Sequence, residues 1–166
     1  MNKPARSLVA LAAVAVSMLA AAPRASADVQ QACGYDGTTY YNCLRFDYTG
    51  YLWWKGVSFL HVNMPQQYAR EIIACGGDFR AKIWGDDDGE AGDDPIRDMA
   101  LDPAAPPTVD YAGLLVSFVA PNISNDQLDE DDGTDELYVK TSFRDCHTGL
   151  TRTFKSSNYV ASFGWG

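Results

Sequence analysis

Apolar and polar residues alternate along several segments of the chain with the two-residue period of a β-strand. DFRAKIW (78–84) and ELYVKTSFRD (136–145) each place aliphatic and aromatic side chains on one face and charged side chains on the other. TYYNCLRFDY (39–48) and KGVSFLHV (55–62) are rich in aromatic and β-branched residues, and Gly50 lies in the turn between them. These four segments therefore predict strands with one buried face.

Further segments extend the predicted sheet. YAGLLVSFVA (111–120) is continuously apolar, as expected for a central strand that is buried on both faces. The residues near 96–101 predict another strand, and the tail LTRTFKSSNYVASFGW (150–165) predicts two more. Only MPQQYAREIIACGG (64–77) has a helical pattern, with Pro65 at its first position, although its two adjacent isoleucines would also suit a strand.

This set of elements predicts an all-β fold: an antiparallel β-sandwich of seven or eight strands with one short helix. No internal repeat or linker divides residues 28–166, which we expect to form a single domain. If the strands alternate in direction, the acidic stretches 86–94 and 125–136 lie at the same end of the sandwich, which we call the top. The Pro-rich stretch 101–110 then forms a crossover between the two sheets at the bottom.

Residues 1–27 have the layout of a secretory signal peptide. A basic start is followed by an apolar run from Leu8 to Ala22 and by Ala25-Ser26-Ala27, which is typical of a cleavage site. The run of 15 residues is shorter than the roughly 20 that a transmembrane helix needs. We therefore expect a secreted, extracellular protein exported by a Sec-type signal, and the Ala-rich composition of that signal looks bacterial.

Cleavage after Ala27 would leave a strongly acidic chain. The removed segment holds three of the 13 basic residues and none of the 22 acidic ones, so the net charge becomes −12. Such a charge repels phosphate backbones and anionic lipid. It therefore argues against nucleic acid as a partner, and no later segment is long and apolar enough for stable membrane insertion.

The four cysteines of the mature chain predict two disulfides, because an even number in an exported protein favours pairing. In the alternating topology, Cys75 and Cys146 both lie at the bottom, which favours the pairs Cys75–Cys146 and Cys33–Cys43. Free structural thiols are the alternative. A zinc site has little support, since there is no C-x-x-C motif and the chain has two histidines.

The acidic stretches are the first candidate site. Calcium takes six to eight oxygen ligands, commonly from carboxylates on loops. A divalent cation would also remove the repulsion between neighbouring carboxylates. The predicted calcium ligands are Asp86, Asp88, Asp93, Asp94, Asp129, Asp131 and Asp132.

The loop pattern IWGDDDGEAGDDPI (83–96) narrows the class of calcium site. It does not fit an EF-hand, because an alignment on Gly89 puts Trp84 and Pro95 at the first and last ligand positions. The pattern resembles the C2-like β-sandwiches, in which an aromatic strand end leads into Asp-x-Asp, Asp-Asp-x-Ile and the next strand. Gly85 and Arg97 depart from that pattern. The resemblance implies a sandwich architecture and calcium binding.

Two other interpretations of the acidic stretches stay open. They could be solvated loops that keep an exported protein soluble, or they could supply the paired carboxylates of a glycoside hydrolase. No G-x-S-x-G, H-E-x-x-H or Gly-rich phosphate loop is present. The sequence therefore favours a protein without catalytic activity.

The segment YYNCLRFDYTGYLWW (40–54) is the second candidate site. Aromatic clusters at strand ends form stacking platforms for sugars or hot spots for proteins, although alternation should turn about half of them into the core. Tyr51, Trp53 and Trp54 are the predicted ligand contacts, because Gly50 and Gly56 flank them. The function that follows is a small secreted binding module, stabilised by calcium, for an extracellular protein or glycan. A secreted hydrolase and a secreted inhibitor or effector acting through this aromatic segment are the alternatives.

Overall fold

The structure is a computed structural model that describes residues 31–36, 39–86, 92–129 and 134–163. The predicted signal peptide and the calcium candidates Asp88, Asp131 and Asp132 lie outside these residues. Within them the chain forms ten strands and two helices. These are β1 (Gln31–Tyr35), β2 (Tyr40–Gly50), β3 (Trp53–Asn63), α1 (Gln66–Ala74), β4 (Arg80–Gly85), β5 (Pro95–Leu101), β6 (Thr108–Val109), β7 (Gly113–Ser124), α2 (Asn125–Leu128), β8 (Asp135–Arg144), β9 (Thr151–Lys155) and β10 (Tyr159–Ala161).

All strand pairs are antiparallel, and the strand order is β1-β2-β3-β7-β5-β4-β8-β10, with β6 on β7 and β9 on β8. Strand β5 joins two layers. Its first part, up to Met99, pairs with β4, and Ala100 and Leu101 pair with β7. The sheet therefore bends at β5 into a first layer (β1, β2, β3, β6 and β7) and a second layer (β4, β8, β9 and β10).

The core lies between the two layers. Alternation in β2, β3 and β7 turns one set of side chains inward from the first layer, and alternation in β4 and β8 turns another inward from the second. Those with almost no exposed surface include Leu44, Leu60, Val116, Phe118, Ile83, Leu137, Val139 and Phe143. Burial of this kind contributes about 1.5–3 kcal/mol for each large apolar side chain.

The edges opposite β5 also approach each other. Asn42 on β2 is fully buried, and its Nδ2 donates to the backbone oxygen of Phe154 on β9 at 3.0 Å. On β1, the Cys33 oxygen accepts a hydrogen bond from Ser157 Oγ at 2.6 Å. The sheet is therefore nearly barrel-like.

The predicted placement of the loops is confirmed. At the top, the backbone N–H of Asp86 donates to the oxygen of Glu136 at 2.8 Å, so the first residue of one acidic stretch meets the last residue of the other. At the bottom, Cys75 is bonded to Cys146, and the other bridge joins Cys33 to Cys43. Both predicted disulfide pairs are therefore correct.

The antiparallel β class is confirmed, with more elements than predicted. The short strands β1 and β6 and the one-turn helix α2 lie in segments without a periodic pattern. Helix α2 instead begins at a capping box, in which Ser124 and Gln127 satisfy each other's backbone N–H groups. In the described part of the chain, no helix is long and apolar enough to cross a membrane.

Candidate functional site

A row of three lysines crosses the outer face of the second layer. Lys82 on β4 lies directly opposite Lys140 on β8, which lies opposite Lys155 on β9. Like charges in such positions destabilise a sheet unless anions neutralise them. Each ammonium group of this lysine row has a carboxylate partner. Two of the three carboxylates belong to residues 86–94, the stretch after β4, which we call the acidic loop. The pairs are Lys82–Asp98 at 3.1 Å, Lys140–Asp93 at 3.6 Å and Lys155–Asp86 at 3.5 Å.

Aromatic rings lie beneath the lysine row. Lys155 Nζ lies 3.6 Å from the centroid of the Tyr138 ring, and Lys140 Nζ lies 4.5 Å from that of Trp84. Both distances are within the range of a cation–π interaction. Tyr138 faces outward on β8, yet it has no exposed surface, and Lys155, Lys140 and Asp93 contact it.

Tyr138 connects this aromatic layer to the acidic loop, because its hydroxyl donates a hydrogen bond to Asp93 Oδ2. That hydrogen bond, together with the charges of Lys155 and Lys140, lowers the pKa of Asp93. Burial and the Asp93 carboxylate raise the pKa of Tyr138 far above its ordinary value. At neutral pH, Asp93 is therefore an anion and Tyr138 a neutral donor.

Asp86 and Asp93 lie near each other, because their partners Lys155 and Lys140 are directly opposite on β9 and β8. Asn158 Nδ2 donates to Asp86 Oδ2 and, at 3.0 Å, to Glu136 Oε2. Asp86 and Asp93, on the two described sides of the acidic loop, are therefore held on the outer face of the sheet by lysine, tyrosine and asparagine side chains. This arrangement is an anchoring network in which ammonium groups are the counter-ions.

The structure brings together two of the predicted calcium ligands, Asp86 and Asp93. The backbone oxygen of Asp94, the residue after Asp93, accepts a hydrogen bond from the N–H of Gly85. Asp129 lies at the end of α2. Among the residues that the structure describes, no three His, Cys, Asp or Glu side chains are grouped so that they could hold a metal ion.

The tip of the β2–β3 hairpin is the second feature of the top. Gly50 pairs with Trp53, so Tyr51 and Leu52 form a two-residue turn, with φ values of 54° and 68°. Positive φ at both positions defines a type I′ turn, in which Asn-Gly is the preferred pair. Bulky residues adopt this conformation only with strain. Tyr51 is nevertheless 92% exposed.

The three predicted ligand contacts have different surroundings. Tyr51 and Trp53 are exposed, and Tyr48 and Leu52 beside them are exposed as well. Trp54 is half-buried: its Nε1 donates to Asn125 Oδ1 at 2.7 Å, and its ring packs edge-on against Tyr48 and Phe163. Trp54 therefore supports the hairpin, and the exposed aromatic surface consists of the other residues. We call Tyr48, Tyr51, Leu52 and Trp53 the hairpin tip.

Sequence reasoning did not single out the lysine row. Its three members occupy outward positions of three separate strands, and only the register of β4, β8 and β9 brings them together. The alternation of apolar and polar residues nevertheless predicts the polar face of each strand.

Comparison of the chain with protein-family models, with curated proteins and with solved structures finds no match. The resemblance to C2-like sandwiches therefore stays a prediction, and the site is interpreted from its own geometry.

Proposed function

We propose that the protein is a secreted binding module that inserts its hairpin tip into a concave apolar site on an extracellular partner protein. The observation that carries this proposal is the Tyr51-Leu52 turn, which holds two bulky residues in the left-handed conformation and presents Tyr51 to solvent.

The energetics of the turn support a role in binding. A left-handed conformation costs a residue other than glycine roughly 1–2 kcal/mol. Burial does not offset this cost at Tyr51, whose side chain is almost fully exposed. In the described residues, burial therefore gives no reason for a tyrosine at position 51, whereas a partner that buries the tip would.

The shape and composition of the tip favour a protein as the partner. A two-residue turn at the end of two paired strands is convex, so its complement is a cleft. Tyr and Trp are enriched among residues that dominate the energy of protein–protein interfaces. They supply a large apolar area with few side-chain rotations to immobilise. Stacking of a sugar on the same rings is the alternative outcome of the test below.

Secretion is part of the proposal. Residues 1–27 have the layout of a Sec-type signal peptide, and the chain forms two disulfides, which persist in oxidising compartments.

Site-specific photo-crosslinking tests the proposal. A photoreactive phenylalanine analogue replaces Tyr51 in one variant and Tyr111 in another, and both are added to extracellular fluid from cells that secrete the protein. Tyr111 is the matched control, since it is 91% exposed but lies at the bottom, before β7. We expect a discrete protein adduct from position 51 and none from position 111.

Two outcomes would contradict the proposal. Equal adducts from both positions would indicate non-specific contact. The absence of an adduct from position 51 would contradict the proposal of a protein partner. A glycan array probed with the wild type and with Tyr51→Ala tests the sugar alternative. Binding to a glycan that is lost in Tyr51→Ala would identify a sugar ligand instead.

Calcium stabilisation at the acidic loop is the second part of the proposal. Its support is the proximity of Asp86 and Asp93, whose lysine partners lie opposite each other, so that a divalent cation could bridge the two carboxylates. The ammonium groups of Lys140 and Lys155 already provide part of that neutralisation. Calcium would therefore add to the anchoring of the loop and would not be its sole support.

The electrostatics of Asp93 favour a binding module over the hydrolase alternative. A glycosidase general acid needs a raised pKa. The hydrogen bond from Tyr138 and the nearby lysines lower the pKa of Asp93. This carboxylate is thus suited to hold a positive charge and poorly suited to donate a proton.

A further inference from the structure

The gap between β1 and β10, which we call the seam, is where the bent sheet does not close. These two strands are the ends of the strand order. They run in opposite directions along the seam, since Gly34 lies next to Ser156, Cys33 next to Ser157, and Gln31 near Tyr159. In the described residues no ladder pairs β1 with β10. The seam is therefore bordered by two free strand edges.

One end of the seam is closed. Ser157 Oγ donates to the Cys33 oxygen at 2.6 Å. At Gly34 the two segments are so close that a Cβ atom would meet the backbone oxygen of Lys155. Glycine is required here by this approach, and nothing can enter between the segments.

Among the described residues, the other end is open. A cavity of about 500 Å³ lies between the two strands, lined by Gln31, Ala32, Asn158, Tyr159 and Val160. Tyr159 forms its floor, with its ring packed against Phe46, and Val160 is half exposed at the edge. The described lining side chains are uncharged, and the strand edges offer backbone N–H and C=O groups, the groups that bind an added β-strand.

Acidic groups border the open end. Glu136 is exposed directly opposite Val160 in the β8–β10 pair, and its described partner is the neutral amide of Asn158. Burial and the charge of Asp47 raise the pKa of Tyr159. Arg45, which lies opposite Gln31, pairs with Asp47 at 2.9 Å, so Glu136 is the acidic group of the described border that has no cationic partner. The whole sequence carries a net charge of −9. A cationic segment is therefore complementary to this opening, and an anionic one is repelled.

We propose that the open end of the seam binds an extended, basic peptide segment of a partner protein by β-strand addition. Backbone pairing with the edge of β10 gives affinity, small or β-branched side chains fill the space beside Ala32 and Val160, and flanking Lys or Arg residues contact the acidic border. This site is separate from the hairpin tip and does not depend on the function proposed for it.

The test uses the full protein and two synthetic peptides, Lys-Val-Thr-Val-Lys and Glu-Val-Thr-Val-Glu, both with blocked ends. Binding is measured by NMR titration, and hydrogen exchange is followed at the amides of β1 and β10. We expect the basic peptide to bind more tightly than the acidic one and to slow exchange at residues 31–32 and 159–161. A basic peptide N-methylated on the amides that pair should not bind, because it has lost its backbone donors.

Val160→Lys is the disruptive variant, since its ammonium group repels a cationic peptide. We expect at least about a tenfold loss of affinity for the basic peptide. Leu150→Lys is the matched control, because it makes the same charge change at an exposed apolar residue at the bottom and should leave affinity unchanged. Val160→Glu should retain binding, which separates charge repulsion from misfolding.

The proposal is overturned if the two peptides bind equally or if neither binds. It is also overturned if the N-methylated peptide binds as well as its parent, or if binding leaves exchange at β1 and β10 unchanged.

Discussion

At the scale of single residues, Asp86 and Asp93 decide whether the acidic loop needs a metal. Both carboxylates face ammonium groups at 3.5–3.6 Å, longer than a close ion pair. Asp93 also accepts a hydrogen bond from Tyr138, which lowers its pKa, so it stays ionised at neutral pH. Two neighbouring carboxylates with loosely placed cations leave room for a calcium ion to stabilise the native state.

Calcium is therefore expected to raise the melting temperature of the protein at neutral pH. A ligand that binds only the folded state stabilises it in proportion to the logarithm of its concentration above Kd. The measurement is a thermal melt in calcium chloride and in magnesium chloride at equal ionic strength, since magnesium dehydrates reluctantly and fits such loops poorly. The shift should disappear in the double variant Asp86→Asn and Asp93→Asn.

Asp98→Asn is the control for this measurement. Asp98 pairs with the same lysine row, through Lys82, but its side chain is 82% exposed and it lies outside the Asp86–Asp93 pair. The calcium shift should persist in this variant. If the wild type melts at the same temperature with and without millimolar calcium, the lysines are sufficient counter-ions and the calcium proposal fails.

At the scale of elements, the β2–β3 hairpin combines a favourable ladder with an unfavourable turn. Replacement of Tyr51 by Asn and Leu52 by Gly installs the pair that a type I′ turn prefers. We expect the free energy of unfolding to rise by about 2 kcal/mol, because neither position then holds a bulky residue in the left-handed conformation. Urea denaturation gives the value, and the same variant should lose the partner that crosslinks to position 51.

A variant at a similarly exposed tyrosine distinguishes strain from surface composition. Tyr111 has no positive φ, so Tyr111→Asn should change stability by less than about 0.5 kcal/mol. A double variant at the tip that is no more stable than the wild type would mean that the turn stores no strain, and the argument for binding would lose its energetic basis.

The long strands were predictable because one face of each is buried, so that burial and alternation reinforce each other. The short strands β1 and β6 were not predictable, since a disulfide and the neighbouring strands β2 and β7 hold them and their own pattern does not. Tyr138 is the clearest residue-level example. Its outward position follows from alternation, but its complete burial depends on Lys155 and Asp93, which other elements supply.

At the scale of the whole molecule, two disulfides constrain chain segments of very different length. Cys75–Cys146 spans 71 residues and joins the end of α1 to the turn after β8, whereas Cys33–Cys43 spans ten and joins β1 to β2. A cross-link restricts the unfolded chain more as the loop it closes becomes longer. The expected contributions to stability are about 4 kcal/mol for the first bridge and about 3 kcal/mol for the second.

The double variants Cys75→Ala with Cys146→Ala and Cys33→Ala with Cys43→Ala test this order by denaturant unfolding. The first should lower the free energy of unfolding of the whole domain. The second should act mainly on β1, which pairs only with β2 in the described sheet, so hydrogen exchange should accelerate there before the domain unfolds. Because β1 forms one edge of the seam, that variant should also weaken binding of the basic peptide. A larger loss of global stability from the Cys33–Cys43 pair would contradict the loop-length argument, and it would place β1 within the cooperative core of the fold.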